Sequence, residues 1–397
     1  MKFRVERDAL AESVAWAARS LPTRPSVPVL AGLLLEAGTQ ADVPGDAPGD
    51  AAASDAGELR LSGFDYETSA RAALPAEVVD EGRALVSGRL LADICRSLPA
   101  HQVEITLDGQ RVSLTCGSAR FTLQTMPVED YPALPGMPET AGTVSSDAFA
   151  HAVAQAVAAA GRDDMLPLLT GVRVEITGSR ISLMATDRFR ASLVELDWSP
   201  DRSDIDTHAL IPARVLNDTA KSLTSGPQVG VALADPGAAE GLIGFQGDVG
   251  GGARRTTTRL LDGEFPRVRQ LFASEPTTNV WVETAALVES LRRVSLVAER
   301  NTPVRLGFES DRVLLEAGSG DEAQASESLP VHLTGEPLSI GFNPGYLLDG
   351  LAVVDAAWTH LAFTQPTRPV SIAGAPEQDA DPDLDFRYLL MPLRLQG

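Results

Sequence analysis

One pattern of residues occurs three times along the chain, and this internal repeat constrains the fold more than any other feature of the sequence. Each copy starts at a valine that precedes apolar residues at helical spacing, and the three valines are Val5, Val144 and Val282. The copies are offset by 139 residues (144 − 5) and 138 residues (282 − 144). Solenoid repeats recur every ~20 to 50 residues, so a period this long indicates tandem domains.

The copies stay alike beyond the first helix. Each continues with a proline and an apolar strand, a second strand, a second short helix and further alternating strands. The repeat therefore predicts an α+β fold with three tandem copies of one domain, each built from two strand–helix–strand–strand halves whose two helices cover one face of antiparallel sheets. Aperiodic segments at residues 131–140 and 273–278 set the predicted domains at 1–137, 138–275 and 276–397.

Charge limits the possible functions. The 397 residues carry a formal net charge of −21, from 54 acidic and 33 basic residues. This balance argues against a protein that coats DNA or binds an anionic membrane by electrostatic attraction. Segments 38–58 and 374–385 each hold five acidic and no basic residues, and we expect both to be solvated, mobile loops.

The predicted helices carry a different charge from the rest of the chain. Together they hold 11 basic and 9 acidic residues (+2), which leaves 22 basic and 45 acidic residues (−23) elsewhere; the helical segments are 7–24, 89–98, 147–162, 213–223, 284–300 and 344–355. If these helices share one face, that face suits diffuse contact with phosphates. Amphipathic helices commonly carry some arginine on a solvated side, so an excess of two does not decide the matter.

Cysteine usage and hydropathy indicate a compartment. The two cysteines, Cys95 and Cys116, form no CxxC pair and no cluster with histidine, which argues against a disulfide scaffold and a zinc site. No apolar run approaches the ~20 residues of a membrane span, and the amino-terminal residues resemble a strand rather than a signal peptide. We expect a cytoplasmic protein. Lys2 and Lys221 are the only lysines, a bias that a GC-rich genome would produce.

The sequence lacks a convergent catalytic motif. Its five histidines are scattered, and it has no HExxH pair, GxSxG elbow or phosphate-binding loop. The acidic residues at 379, 381, 383 and 385 lack the glycine and glutamate of an EF-hand, so we expect no metal and no cofactor. A remote alternative is an α+β hydrolase whose site assembles from Asp163, Asp187 and His151.

Several motifs resemble those of the bacterial DNA polymerase III β subunit, the sliding clamp, of the type found in high-GC bacteria. They occur in order along the whole chain, and the most specific is the terminal Met-Pro-Leu-Arg-Leu that begins at Met391; others begin at Met1, Arg24, Asp93, Ala185, Leu261 and Gly341. The resemblance implies a head-to-tail homodimer, in which six domains close a ring with helices inside and sheets outside. Such a ring encircles duplex DNA without reading its sequence, slides along it and raises processivity by tethering the polymerase.

The resemblance also implies which residues contact DNA and which bind partner proteins. It implies that the protein is not an enzyme, and it assigns DNA contacts to Arg24, Arg96, Arg162 and Arg214. Partner proteins, namely the polymerase III alpha subunit, the clamp loader and repair polymerases, are expected to insert short clamp-binding motifs into one apolar pocket. Its implied residues are Leu168, Leu169, Thr186, Arg188, Phe189, Arg190, Ala191, Pro266 and Leu271 on one side, and Asn343, Tyr346, Thr367, Pro369, Leu389, Met391, Pro392, Leu393 and Arg394 on the other.

The chain departs from the family pattern at three places. Ala191 stands where a leucine is usual, Leu168 replaces a frequent tyrosine, and Gln396-Gly397 extends past the usual leucine end. A smaller residue at 191 should deepen the pocket or remove a contact of ~1 to 3 kcal/mol. A diverged second copy of the clamp, tolerant of a peptide-like inhibitor and therefore involved in antibiotic resistance, is the alternative to a primary clamp. Family analogy further predicts that residues 103–116 of one copy meet residues 287–308 of the other.

Overall fold

The computed structural model describes residues 1–38, 57–234, 241–250, 252–273, 275–298, 302–318 and 323–394. The chain divides into two compact units. The first comprises Met1–Phe149, Trp198–Ser203 and Asp218–Leu260, and the second comprises Ala150–Asp197, Asp204–Asn217 and Leu261–Gly397. None of the described helices is both long and apolar enough to cross a membrane.

Six α-helices occur among the described residues, two in each predicted domain, as the repeat predicted. They are α1 (Arg7–Ala17), α2 (Gly88–Ser97), α3 (Ser146–Val157), α4 (Ala213–Ser222), α5 (Thr284–Val294) and α6 (Pro344–Leu351). Short 3-10 segments extend or precede several of them, at Ala18–Ser20, Pro28–Ala31, Val128–Asp130, Pro167–Thr170, Arg269–Phe272 and Ser295–Val297.

Strands make up most of the remaining structure. Those before residue 200 are β1 (Lys2–Val5), β2 (Gly32–Gly38), β3 (Glu58–Phe64), β4 (Thr68–Pro75), β5 (Glu77–Asp80), β6 (Gly82–Ser87), β7 (Val103–Asp108), β8 (Arg111–Cys116), β9 (Ala119–Met126), β10 (Thr140–Ser145), β11 (Gly171–Thr177), β12 (Arg180–Thr186), β13 (Arg190–Asp197) and β14 (Ser199–Pro200). The later ones are β15 (Asp206–Pro212), β16 (Gln228–Leu233), β17 (Leu242–Val249), β18 (Gly252–Arg259), β19 (Thr278–Glu283), β20 (Val304–Phe308), β21 (Arg312–Ala317), β22 (Ala325–Pro330), β23 (His332–Thr334), β24 (Leu338–Phe342), β25 (Trp358–Phe363), β26 (Val370–Ala375) and β27 (Phe386–Leu390).

These strands form three antiparallel sheets, each inside one unit. The first unit contains a 14-stranded sheet in the order β14-β10-β16-β17-β18-β4-β3-β2-β6-β9-β8-β7-β1-β5. The second contains a nine-stranded sheet, β15-β11-β12-β13-β27-β26-β25-β19-β23, and a four-stranded sheet, β22-β21-β20-β24. The α+β class and the antiparallel sheets predicted from the repeat are confirmed.

The predicted strand count was too low, because each half-domain has a third strand after the expected two. The additional strands include β4, β9, β13 and β18. In β4 the reason is composition, since Thr-Ser-Ala-Arg-Ala-Ala-Leu-Pro is rich in alanine and poor in the β-branched and aromatic residues that mark strands. These third strands also join predicted domains. β4 pairs with β18 from Thr68↔Thr258 to Ala73↔Ala253, and β13 pairs with β27 from Arg190↔Leu390 to Val194↔Phe386.

Helix and strand periodicity place the core as expected. In α2 the buried residues include Leu91, Ile94 and Cys95, while Arg96 on the opposite side is exposed. Strand β8 alternates, with Val112, Leu114 and Cys116 buried between exposed or half-buried neighbours. Both cysteines are free thiols inside this core, and burial raises the pKa of Cys95 to about 12.

The two acidic segments differ in what the structure describes. Most of segment 38–58 lies outside the described residues. Segment 374–385 was expected to be mobile, but the structure shows it bonded to neighbouring strands: Asp385 pairs with Arg180 at 2.7 Å, Asp379 with His332 at 3.1 Å, and Trp281 Nε1 donates to the carbonyl of Ala380. Its carboxylates have basic partners nearby, which the count of charges within the segment could not reveal.

Candidate functional site

The proposed pocket begins at a rigid turn between β12 and β13. The Asp187 carboxylate accepts hydrogen bonds from the amides of Phe189 and Arg190, both at 3.0 Å, and the Thr186 hydroxyl donates to the carbonyl of Arg190 at 2.7 Å. Arg188 has a φ of 81°, which is uncommon for a residue with a side chain. The turn therefore fixes the backbone that carries the exposed side chains of Arg188 and Phe189.

Strand β27 brings the end of the chain to this turn. Ala191 pairs with Leu389, and beyond the strand the amide of Met391 donates to the carbonyl of Phe189 at 2.8 Å. The amide of Leu393 then donates to the carbonyl of Gly341, also at 2.8 Å. Phe189 and Met391, which are 202 positions apart in sequence (391 − 189), thus meet through a main-chain hydrogen bond.

A buried arginine joins the turn to helix α6. The Arg190 side chain is only 3% exposed, and it forms ion pairs with Asp187 at 2.8 Å and with Asp349 at 2.7 Å. Its guanidinium also lies 4.4 Å from the ring centroid of Tyr346 and 3.4 Å from the Tyr388 hydroxyl. Burial alone would lower the pKa of Arg190, but Tyr388 and Asp349 more than offset it, so the pKa is raised and the charge is retained.

An apolar floor underlies the exposed residues. Ala191 and Leu389 are buried in one cluster with Met184, Phe265 and Val268, against which Leu168 packs. Three of the implied pocket residues are exposed apolar side chains; the exposed fractions are 48% for Phe189, 46% for Leu271 and 38% for Met391. Phe189 stacks on Tyr346 with ring centroids 6.2 Å apart. Large apolar groups left in water by a rigid frame are typical of an interaction site.

The eighteen pocket residues implied by the resemblance occupy different environments within the second unit. Five are buried and support the site from beneath: Leu169, Thr186, Arg190, Ala191 and Leu389. Seven are exposed: Arg188, Phe189, Pro266, Leu271, Thr367, Met391 and Arg394. The remaining six are half-buried: Leu168, Asn343, Tyr346, Pro369, Pro392 and Leu393. Asn343 serves as the N-cap of α6, where its Oδ1 accepts from the Tyr346 amide at 3.1 Å.

A surface groove of about 630 Å³ continues from Pro266 along the same unit. Its apolar wall includes Met184, Phe265 and Val268. Its polar rim contains the ion pairs of Glu175 with Arg173 at 2.7 Å and with Arg269 at 2.9 Å.

Sequence reasoning missed the residues that hold Arg190. Asp349 and Tyr388 both bind the guanidinium, and the Tyr388 hydroxyl donates to the carbonyl of Tyr346 at 2.9 Å. The one signal available was the spacing of Tyr346 and Asp349, three residues apart and therefore on one side of a helix.

The four arginines assigned to DNA contact are all exposed side chains. Arg24 and Arg96 belong to the first unit, and Arg96 pairs with Asp93 in the preceding turn of α2 at 3.2 Å. Arg162 and Arg214 belong to the second unit, where Arg162 lies 3.7 Å from Asp349. Exposed pairs of this kind contribute little to stability, so a phosphate could replace the carboxylate at small cost.

The residues of the hydrolase alternative have other partners. Asp187 is committed to the turn and to Arg190, Asp163 accepts from the amide of Met165 at 3.0 Å, and His151 is an exposed residue of α3. Across the described residues, no group of three or more histidine, cysteine or acidic side chains is arranged to hold a metal ion.

Comparison with known proteins identifies the family. The family models for the DNA polymerase III beta subunit match residues 1–41 and 52–135 (N-terminal domain), 143–267 (central domain) and 269–394 (C-terminal domain). The chain is 54% identical to the beta sliding clamp of Streptomyces coelicolor, with 100% of both chains covered, and 42% identical to the beta sliding clamp homolog GriR of Streptomyces muensis, with 99% of each covered. The solved DNA polymerase sliding clamp of Bacillus subtilis has a TM-score of 0.85 at 25% identity, again over the full length of both chains. The chain therefore belongs to the DNA polymerase III beta subunit family, the bacterial sliding clamps.

Proposed function

We propose that this sliding clamp captures its partners through the pocket formed by the β12–β13 turn, the end of β27 and the start of α6. Membership in the family establishes a role in DNA replication as a clamp that works with a polymerase. The finer proposal names the partners: the polymerase III alpha subunit, the clamp loader and repair polymerases, each inserting a short clamp-binding motif. Because a replication clamp acts on chromosomal DNA, we also propose that the protein is located in the cytoplasm.

The observation that carries this proposal is the exposed trio Phe189, Leu271 and Met391 above a buried apolar floor. The backbone around the trio is fixed by hydrogen bonds, so a peptide would bind without first ordering the site. Methionine has a flexible, polarizable side chain and adapts to several ligands. A groove with these properties suits short apolar motifs from unrelated proteins.

We propose that the clamp holds DNA weakly and catalyses no reaction. The four exposed arginines supply only sparse contacts with phosphates, and sparse contacts permit sliding because each is readily exchanged and screened by salt. The remaining strongly acidic surface would repel DNA from the outside of a ring. A net charge of −21 is therefore compatible with a protein that encircles DNA without adhering to it.

For ring closure we propose pairing between two free strand edges. The expected interface at residues 103–116 consists of β7 and β8, but both are interior to the sheet, where β8 pairs with β7 and β9. Strand β9 pairs with β6 only at Thr125 and Met126, so most of its outer edge is unpaired within the described residues. Strand β22 forms an edge of the four-stranded sheet. Edge strands with unpaired main-chain groups readily add a strand from a second copy.

A primary replicative role is supported over that of a second copy, because identity is higher to the Streptomyces coelicolor clamp (54%) than to GriR (42%). The role of Ala191 can be tested directly. Leucine at this position would extend the apolar floor and, if it contacts the bound peptide, tighten binding by about 1 kcal/mol. Equal peptide affinities for the natural protein and Ala191→Leu would mean that this residue does not distinguish clamp types.

The pocket itself is tested by fluorescence anisotropy with a labelled peptide that carries the clamp-binding motif of the polymerase. Met391→Glu places a charge in the exposed trio and is expected to weaken binding at least tenfold. Leu384→Glu is the matched control, because Leu384 is an exposed leucine outside the pocket. If both variants bind as well as the natural protein, the peptide binds elsewhere and the proposal is wrong.

A further inference from the structure

We propose that the first unit carries a second peptide-binding groove, related by the internal repeat to the pocket in the second unit. This inference rests on the proposed function, because it takes the geometry of that pocket as the pattern of a peptide site. The groove measures about 290 Å³ and is lined by Phe64, Tyr66, Glu67, Pro132, Leu242 and Arg259.

The turn between β3 and β4 reproduces the turn between β12 and β13. The Asp65 carboxylate accepts from the amides two and three residues later, at 3.0 and 2.6 Å, as the Asp187 carboxylate does at 3.0 Å for both. The residue after each aspartate is left-handed, with φ of 75° at Tyr66 and 81° at Arg188. In both turns the aspartate amide donates to the carbonyl three residues on, at 3.3 Å. A backbone conformation this unusual, repeated at equivalent positions, presents the following side chains in the same way.

The strand beside each turn is also equivalent. Strand β18 pairs with β4 as β27 pairs with β13, and the residue just past the paired segment bonds back to the turn. The amide of Arg259 donates to the carbonyl of Glu67 at 2.9 Å, as the amide of Met391 donates to that of Phe189 at 2.8 Å. Arg259 therefore occupies the place of Met391, and Glu67 the place of Phe189.

The segment that borders each groove follows the same plan. Pro132 comes directly after the buried ring of Tyr131, and Pro266 comes directly after the buried ring of Phe265. The first groove is also aromatic. Tyr66 is 45% exposed, and its ring contacts that of Phe64 edge to face at 5.6 Å.

The side chains define the ligand as an extended peptide from a partner protein with one large aromatic or aliphatic anchor. The anchor would pack between the rings of Phe64 and Tyr66, Pro132 and Leu242. Arg259 and Glu67 also line the groove, so a basic and an acidic side chain would flank the peptide. With a charged pair where the second unit has methionine and phenylalanine, this groove would select sequences different from those of the clamp-binding motif.

Selection from a displayed library of random heptapeptides tests the proposal. The target is the full-length Met391→Glu variant, so that the first-described pocket is disabled, and counter-selection uses the same variant with Tyr66→Asn added. Asparagine tolerates the left-handed conformation and keeps the turn while it removes the ring. Unchanged melting temperature of each variant verifies that the fold is intact.

We expect enriched peptides that share one large apolar residue. Their anisotropy-measured affinity should fall at least tenfold with Tyr66→Asn or Arg259→Ala and stay unchanged with Val79→Asn, a matched change at an exposed valine elsewhere in the unit. No enrichment over the counter-selected target, or equal binding to all variants, would overturn the second groove. Because Met391→Glu is assayed separately with the motif peptide, failure here leaves the proposed function intact.

Discussion

The carboxylate of Asp349 should stabilise the second unit through Arg190, and its removal should weaken the pocket. The change Asp349→Asn keeps the size of the side chain but removes the charge from the 2.7 Å ion pair. Arg190 is 3% exposed and Asp349 is 39% exposed, so the pair lies between the buried and the exposed cases. Breaking buried pairs costs about 3 to 5 kcal/mol, and exposed pairs contribute about 0 to 1 kcal/mol.

We therefore expect Asp349→Asn to lower the free energy of unfolding by about 1 to 2 kcal/mol. Asp187 remains as a second partner, and its side chain is only 12% exposed, so the guanidinium is not left without a counter-charge. Asp187→Asn should cost more, about 2 to 3 kcal/mol, because it weakens the more buried pair. Peptide affinity should fall in both variants, since the guanidinium lies against the ring of Tyr346, which stacks on Phe189.

A double-mutant cycle measures the interaction itself. Urea unfolding of the natural protein, Asp349→Asn, Arg190→Met and the double variant should give a coupling energy of about 1 to 2 kcal/mol. Asp355→Asn is the control for loss of an exposed negative charge in the segment after α6. Additive effects, with a coupling energy near zero, would refute the view that Asp349 acts through Arg190.

Three further outcomes are expected. Burial lowers the pKa of His360 to about 4 from its usual 6.5, so the unfolded chain takes up the proton first as pH falls. The free energy of unfolding should therefore decline between about pH 6.5 and pH 4, by on the order of 3 kcal/mol. For His360→Phe we expect a smaller decline of the free energy of unfolding over this pH range. If the free energy of unfolding depends on pH in the same way in both proteins, groups other than His360 cause the decline. Replacing Arg24 and Arg96 by glutamate should reduce loading or processivity in a clamp-dependent polymerase assay, and unchanged processivity would exclude both from DNA contact. Leu296 is an exposed leucine in segment 287–308, which family analogy places at the interface. Leu296→Arg should shift light scattering toward the mass of one chain at micromolar concentration, whereas Leu384→Arg should not. Equal masses would remove Leu296 from the interface.

The repeat was a good guide to local structure and a poor one to long-range pairing. Four of the six described helices lie within the predicted segments, and α2 and α3 begin one residue earlier, because apolar residues at helical spacing mark a buried face wherever the helix packs. Among the third strands that were missed, β4 has three alanines and one serine in eight residues and few of the residues typical of strands. The pairings of β4 with β18 and of β13 with β27 have no local signal, because register depends on residues nearly 200 positions away.

The candidate site shows the same division. The motifs that carry the family resemblance named the exposed residues, among them Phe189 and Met391, but burial of the charge on Arg190 was not visible. An arginine three residues after an aspartate is an ordinary surface pattern, and only the packing of Tyr346, Asp349 and Tyr388 around it makes it a buried support. The resemblance could not indicate the second groove either, since it emerges from comparing two turns within one chain.

The ladder between β4 and β18 has a consequence for cutting the chain. Six residue pairs hold the first predicted domain to the strands of the second, from Thr68↔Thr258 to Ala73↔Ala253, and they do so through main-chain groups. The covalent segment at residues 131–140 is therefore not needed to keep these strands together. Two co-expressed polypeptides, 1–137 and 138–397, should reassemble into a working split clamp. Because main-chain hydrogen bonds depend little on side-chain identity, the pairing of β4 with β18 can also be retained while the sequences of both strands change.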